Sequence, residues 1–527
     1  MLILSITKTF THFKPDLQQQ FYFFTFFIIK KLYSCSVVLR GGTGVFTGRV
    51  PFAWFGYAYY NNGVNFNSVD ANGIQASPIT TRNANGTTTT VTPNQVIRLN
   101  QDPTQIYNQL TQTTVVRDAQ GNVVSTATAP YAYNPANPKA GPTEVNLIDN
   151  DFKMPQVWRS SLALDYKLKT GTRFSVEGLY TKTLQDVKFE NINLTDNVSY
   201  LSQGPTESPR YSAPAGGSAK VNTGFSNAFF LTNTQKGYRY QLTGSVGQTI
   251  NNLIDASVAY TYGKIYDISN GIRNSPQSNW ELNPARNVND PALALSNFDL
   301  RHRVVASINL HKTFAERFTG YFTSVLTYQS GSPFTYVYNN NPFGNGQQNV
   351  QMAYVPSDAN DILLTDIKKN GVVTVTADQQ RQQLNDFINN DSYLSSRRGQ
   401  YTERNAARTP WNNQADVRFM LETKLGNLAP DATGIVVAGH TIQISLDIIN
   451  VGNLLNKNWG RQYFVPNTFN STAGFGLNQS GFVPSADDAS KKSPTFTYTA
   501  PAGGFTPYSI DQLASRWQGQ LGLRYSF

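Results

Sequence analysis

The residue types that could do chemistry are few in this chain, and their spacing is poor. Among 527 residues there are four histidines, His12, His302, His311 and His440, with no HExxH or other ligand spacing, so each reads as a strand-end or turn residue rather than a metal ligand. The single cysteine, Cys35, precludes an intrachain disulfide and a Cys-rich zinc site. A hydrolytic site needs a nucleophile and a base, or paired carboxylates. His302 has no serine that the sequence places beside it, so no catalytic residue, metal or cofactor is expected. Asp447 with Asn450, Asn453 and Asn456 could offer oxygens to a cation. Because Asn and Asp bond their own backbone, the set reads first as turns where a strand ends. Arg397, Arg398, Arg404 and Arg408 could meet phosphates or an anionic ligand; a solvated basic loop is the plainer reading. The net charge is +10, but its 43 Lys and Arg form no basic helix or compact block, which argues against nucleic acid.

The elements around these residues have a strong period of two. Charged residues make up only 14% of the chain, against about 25% in typical soluble domains, while 13% are aromatic. Mean hydropathy is nonetheless −0.37, so Asn, Gln, Thr and Ser supply the polarity. No run of 18 apolar residues exists, so a helical membrane span is not expected. Gln156 to Leu168 and Phe174 to Tyr180 alternate apolar and polar residues across the short link KTGT, a hairpin with two unlike faces. The pattern returns in Tyr238–Val246 with Ile254–Tyr262, in Val304–Leu310 with Phe318–Tyr328, and in Ala415–Leu421 with Ile442–Ile448. The final strand puts Trp517, Gly519, Leu521, Leu523, Tyr525 and Phe527 on one face, opposite Gln518, Gln520, Gly522, Arg524 and Ser526.

Link lengths separate two kinds of sheet. Links within hairpins are short; those between hairpins, 184–236, 266–301, 331–410 and 452–512, are long and fall on one side. A soluble sandwich has no reason to segregate them, whereas outer-membrane barrels have short periplasmic turns and long extracellular loops. The charges follow one parity, Arg159, Asp165, Glu177, Arg239, Asp416, Arg418, Asp447 and Arg524, which is the lumen-facing set; the other parity is nearly free of charge. Aromatics of the outward parity cluster near strand ends, at Trp158, Tyr180, Tyr262, Tyr328 and Trp517, as interfacial girdles do. The expected fold is therefore all-β, a transmembrane antiparallel β-barrel with long extracellular loops.

The chain divides into three parts. Residues 1–38, with the apolar run FYFFTFFII followed by two lysines, match neither a signal peptide nor a lipoprotein box; they read as an unassigned extension of the kind a wrong start or frame produces. Residues 39–155 read as a barrel start with turns, short strands and irregular loops, and residues 156–527 as antiparallel barrel strands ending in the signal strand. Thr376 to Ile388 opens with a capping box at Thr376 and Gln379 and predicts a short helix within a long link.

Five segments carry a family resemblance: RGGTGVFTGRVPFAW (40–54), SNFDLRHRVVASI (296–308), TYQSGSPFTYV (327–337), RNAARTPWNNQADVRF (404–419) and LDIINVGNLLNKNWG (446–460). In this order, and with the terminal Phe527, they resemble the barrel of TonB-dependent outer-membrane receptors, most closely the Oar-like group. The resemblance covers roughly 39–527. It implies a large plugged barrel in the outer membrane of a Gram-negative bacterium, energised import of an unknown solute, and contact with lipid and lipopolysaccharide. It also implies that the barrel-assembly machinery reads Trp517, Leu521, Leu523, Tyr525 and Phe527. No plug or TonB box is recognised in the chain, so the TonB complex would be reached only through a plug missing here. The chain therefore resembles the C-terminal part of such a barrel, about nine to fourteen strands, and an incomplete sheet would expose edges in a bilayer. A passive barrel or surface adhesin, and a secreted β-rich binding protein, are the alternative readings.

Overall fold

The computed structural model describes residues 35–62, 143–195, 219–315, 317–342, 346–358, 360–425, 440–467, 470–485, 492–500 and 506–527, with short strands at 7–8, 23–32, 79–82, 88–91, 111–117, 123–130, 198–200 and 209–211. Twelve strands form one antiparallel wall, a two-residue strand (Thr7–Lys8) at one edge and then eleven longer ones: β1 (Phe23–Leu32), β2 (Cys35–Thr47), β3 (Gln156–Lys167), β4 (Arg173–Asn191), β5 (Tyr238–Ile250), β6 (Ile254–Asp267), β7 (His302–Phe314), β8 (Phe318–Gln329), β9 (Asn412–Leu425), β10 (His440–Ile449) and β11 (Gln518–Ser526). Each pairs with its successor, so the wall is an up-and-down meander. Among the described residues no strand pairs with the outer edge of β11. The fold is all-β, as the alternation predicts. The nine strands read from the sequence are β3 to β11, and two more of the longer strands, β1 and β2, precede them.

Short links join the strands at one end. The β3–β4 turn closes through Leu168 N to Thr172 O at 2.8 Å, with Gly171 at φ +87°. Between β5 and β6, Asn251 and Asn252 both lie at positive φ and Leu253 N donates to Ile250 O at 2.9 Å. Two consecutive left-handed residues match the right-handed strand twist, and Asn tolerates that region better than most residues do. The β9–β10 link, 426–439, lies outside the described residues.

At the opposite end the long links build structure of their own. The link after β2 forms helix α1 (Phe52–Tyr60), where the sequence suggests only turns and a short strand. The link after β6 contains α2 (Pro276–Glu281), capped by the Ser275 hydroxyl. The link after β8 contains α3 (Ala377–Asn390) and α4 (Ser392–Ser396), and that after β10 opens with α5 (Val451–Leu455). Helix α3 carries the expected capping box, with Gln379 N donating to Thr376 Oγ1 at 3.2 Å and Thr376 N to Gln379 Oε1 at 2.9 Å.

Among the described residues the two buried apolar cores are built chiefly by these links, the second joined by Val187 and Phe189 at the far end of β4. One core joins Phe334, Tyr336, Tyr338 and Tyr354 to Leu384 and Phe387 of α3 and to Phe475, Phe496 and Tyr498. Burial, with Asp391 beside it, pushes the Tyr336 hydroxyl well above the ordinary tyrosine range. The second core packs Trp54 of α1 edge-on against Phe189 at the far end of β4, with Phe229, Leu231 and Trp280. Here the last residues of β4, 186–191, leave the wall and pair instead with Phe225–Thr234.

Candidate functional site

Register aligns the polar residues of the wall into one face. Asp165 faces Ser175, Glu177 faces Thr243, Thr243 faces Thr261, Ser257 faces Ser307, Thr323 faces Arg418, Arg418 faces Asp447 and Asp447 faces Gln520. Side chains bond along this face. Arg40 Nε donates to Asp165 Oδ2 at 2.9 Å and Ser175 Oγ to Asp165 Oδ1 at 2.5 Å. Arg239 Nε donates to the Thr181 hydroxyl at 3.2 Å, and the Arg159 guanidinium covers the Phe46 ring at 5.4 Å. Arg418 and Asp447 form an ion pair, with Nη2 to Oδ2 at 2.9 Å, and Gln443 bonds Glu422 at 2.7 Å. Asp416 accepts from Gln414 and from the Asn450 amide, while Arg524 stands opposite Gln443. All eight charged residues read as lumen-facing thus fall on the parity that carries the polar ladder.

The other face is apolar and open. Leu162 and Leu164 on β3, Phe174 and Val176 on β4, Leu242 on β5, Phe419 and Leu421 on β9, and Ile444 and Leu446 on β10 are all exposed. On β11, Leu521 is 78% and Leu523 77% exposed, and Phe527, one residue past its end, is 92% exposed. These stand on the same face as β10, through Leu446 with Leu521, Ile444 with Leu523 and Ile442 with Tyr525.

Aromatic rings close this apolar band at both heights. Toward the long links, Trp158 meets Tyr180 at 6.2 Å, Tyr240 meets Tyr262 at 6.2 Å, His302 lies 5.2 Å from Tyr262 and 5.6 Å from Trp411, and Trp411 stacks on Tyr328 at 4.8 Å. Toward the short links, Phe314 stacks on Phe318, and His440 on Tyr525, whose hydroxyl bonds His440 Nδ1 at 2.7 Å. His302, the one histidine weighed as a base, is held by the Tyr260 hydroxyl at 2.8 Å within this belt. From Phe318 to Tyr328 the strand rises about ten steps of ~3.4 Å, and a tilt near 45° leaves a band of roughly 24 Å.

At the upper rim, four of the five sequence segments that carried the resemblance come together, 296–308, 327–337, 404–419 and 446–460. Arg404 is buried and pairs with Asp267 at the end of β6. Asn405, at φ +58°, donates its backbone N–H to Thr335 Oγ1 at 2.8 Å, and its carboxamide donates to Leu295 O at 2.8 Å and Asn297 Oδ1 at 2.5 Å. Arg408 pairs with the fully buried Asp299 and donates to Gly331 O at 3.1 Å. Gly331 is required there, because a Cβ would collide with the backbone of Thr409 and Pro410. The Asn450 carboxamide donates to Gly460 O at 2.9 Å and Ser515 O at 2.8 Å, and Asn453 donates to Lys457 O and Trp459 O. The asparagines therefore fasten the strand exit, as the turn reading expects. The arginines correct the picture of a solvated loop. Arg404 and Arg408 tie the link after β8 to the link after β6, Arg397 pairs with Glu403 at 3.0 Å, and Arg398 donates to Asn385 and Asn389.

Among the described residues no group of three His, Cys, Asp or Glu side chains is placed to hold a metal ion, and no helix is long and apolar enough to cross a membrane.

No protein-family model and no curated protein matches the chain. Among solved structures it is similar to the FrpB iron transporter of Neisseria meningitidis (F5-1 variant), at 8% identity and a TM-score of 0.27, over 82% of this chain and 38% of that one. It is also similar to the outer membrane transporter YddB of Escherichia coli, at 9% identity and a TM-score of 0.28, over 82% of this chain and 59% of that one. The chain thus spans about two fifths of the first and three fifths of the second. At that level of superposition, the likenesses add nothing to what the strand register establishes.

Proposed function

We propose that this chain forms the wall and outer loops of an outer-membrane β-barrel of the TonB-dependent receptor type, which binds a solute on the side of the long links and admits it along the polar face. The observation that supports this reading is the sorting of side chains between the two faces. Leaving a Leu, Val or Phe side chain in water forgoes roughly 1.5–3 kcal/mol of burial, and the outward face leaves them exposed on strand after strand. A water-soluble sheet would cover such a face with a second layer. A bilayer removes the need, and lipid is also the solvent that selects aromatic rings at both edges of the band. The resemblance of the rim segments to TonB-dependent receptors, and within them to the Oar-like group, points to energised import rather than to a passive pore.

Two measurements test the proposal. Fractionated cells expressing the protein from its natural gene should hold it in the outer membrane, and solute uptake should stop when the proton gradient is collapsed. Uptake that survives the collapse would favour a passive barrel or adhesin. A chain that remains soluble without detergent would refute the membrane reading altogether.

A further inference from the structure

Beside the rim network lies a cavity of about 880 Å³, within the range of small-molecule sites (~300–1,000 Å³), between residues 284–295 of the link after β6 and residues 397–404 of the link after β8. Its aromatic lining is Tyr266, Tyr354 and Tyr401. Tyr266 is stacked on one side by Tyr238 at 4.8 Å, and Tyr354 meets Tyr401 edge-on at 5.4 Å. We propose that this cavity binds a neutral, hydroxyl-rich ligand of the size of a short oligosaccharide. The assignment rests on the barrel reading, which puts the long links on the side that meets solutes.

Three classes of ligand fit the lining poorly. An ionic ligand needs uncommitted charge, and the acids here are already matched: Glu403 by Arg397 at 3.0 Å, Asp290 by Lys236 at 2.8 Å, and Asp267, just behind the wall, by Arg404. Lys236 holds the Asp290 carboxyl below its ordinary range. Arg286 is engaged too, its guanidinium lying over the Tyr401 ring, 4.1 Å from its centre. An extended peptide needs a free backbone ladder. Around the cavity that ladder is spent: Tyr401 O accepts from Arg397 at 2.8 Å, Gln400 N donates to Arg397 O at 3.0 Å, Glu403 N to the Tyr393 hydroxyl at 2.7 Å, and Leu295 O accepts from Asn405. A purely apolar ligand would bury the polar lining without partners.

A sugar suits what remains. Its ring C–H faces would lie against Tyr266 and Tyr401, the lining tyrosines that are part-exposed, since Tyr354 is buried in the loop core, and its hydroxyls both donate and accept, which suits the exposed Gln400 carboxamide, free of protein partners among the described residues, and ion-paired carboxylates with oxygens to spare.

The test is equilibrium binding to an array of neutral and uronic-acid oligosaccharides, using the whole chain folded in detergent or lipid, with the heat-modifiable band as the check of folding. A neutral oligosaccharide should bind, and Gln400→Ala and Tyr401→Ala should each weaken it about tenfold or more while the folded band is retained. Binding confined to the uronic-acid sugars and abolished by Arg286→Ala would overturn the proposal, as would the absence of any sugar bound. Either failure, with the chain folded in the membrane, leaves the barrel reading standing; a chain that never enters the membrane fails that reading instead.

Discussion

At the scale of the residue, the wall makes neighbours along one strand face different solvents. Leu446 and Asp447 are adjacent on β10, yet the leucine stands with Leu521 on the exposed apolar face and the aspartate pairs with Arg418 on the polar one. Leu446→Arg should therefore cost about 2–4 kcal/mol of folding stability, the midplane cost of a lipid-facing cation. Asp447→Asn removes an ion pair whose arginine is more than half exposed and should cost no more than about 1 kcal/mol. Urea unfolding from liposomes measures both, and equal losses would contradict the facing. The rim behaves differently because its charges are buried. Arg404→Ala leaves Asp267 without its cation and should cost about 3–5 kcal/mol, felt in the links rather than the wall. Limited proteolysis should cut the link 331–411 faster in the variant while the barrel fragment persists.

At the scale of the element, strands were legible and their exits were not. Period-two alternation marks β3 to β11 because each strand must present one face to each of two solvents, a constraint repeated at every second residue. Helix α1 escapes that logic. FAWFGYAYY has aromatic residues of strand propensity and a glycine, and it is helical because Trp54 is buried, with its indole N–H donating to Arg273 O at 2.7 Å. That partner is 219 residues away, where no local pattern reaches. The same distance hides the rim: Arg404 and Asp267 are 137 residues apart, and the motifs announce a resemblance without stating that they touch. Phe334 is a further lesson, since it lies in a loop by sequence and is 1% exposed in the loop core. A control for the assembly role of the terminal strand is therefore chosen by exposure in the structure, not by position in a link. Phe527→Ala should lower the yield of heat-modifiable protein more than Phe298→Ala, an exposed loop aromatic, and equal yields would count against a role for Phe527 in insertion.

At the scale of the whole molecule, the architecture places its packed cores at one end and leaves the wall thin, polar on one face and apolar on the other. That division suits the wall to a membrane, and in the proposed function it leaves the links to meet the ligand. The composition already contained the hint, with few charges and many aromatics yet a negative mean hydropathy. It did not contain the cores, because link residues bury themselves through contacts with no sequence period. The central claim, that the outward face of the wall meets lipid, is tested most directly by nitroxide labels placed one at a time at Ile444, Ser445, Leu446 and Asp447 of β10 in lipid vesicles, with Cys35 replaced by serine. Oxygen, which partitions into lipid, should relax the labels at 444 and 446, and a water-soluble nickel chelate those at 445 and 447. Accessibility to the chelate at all four positions, or no alternation between them, would contradict the account.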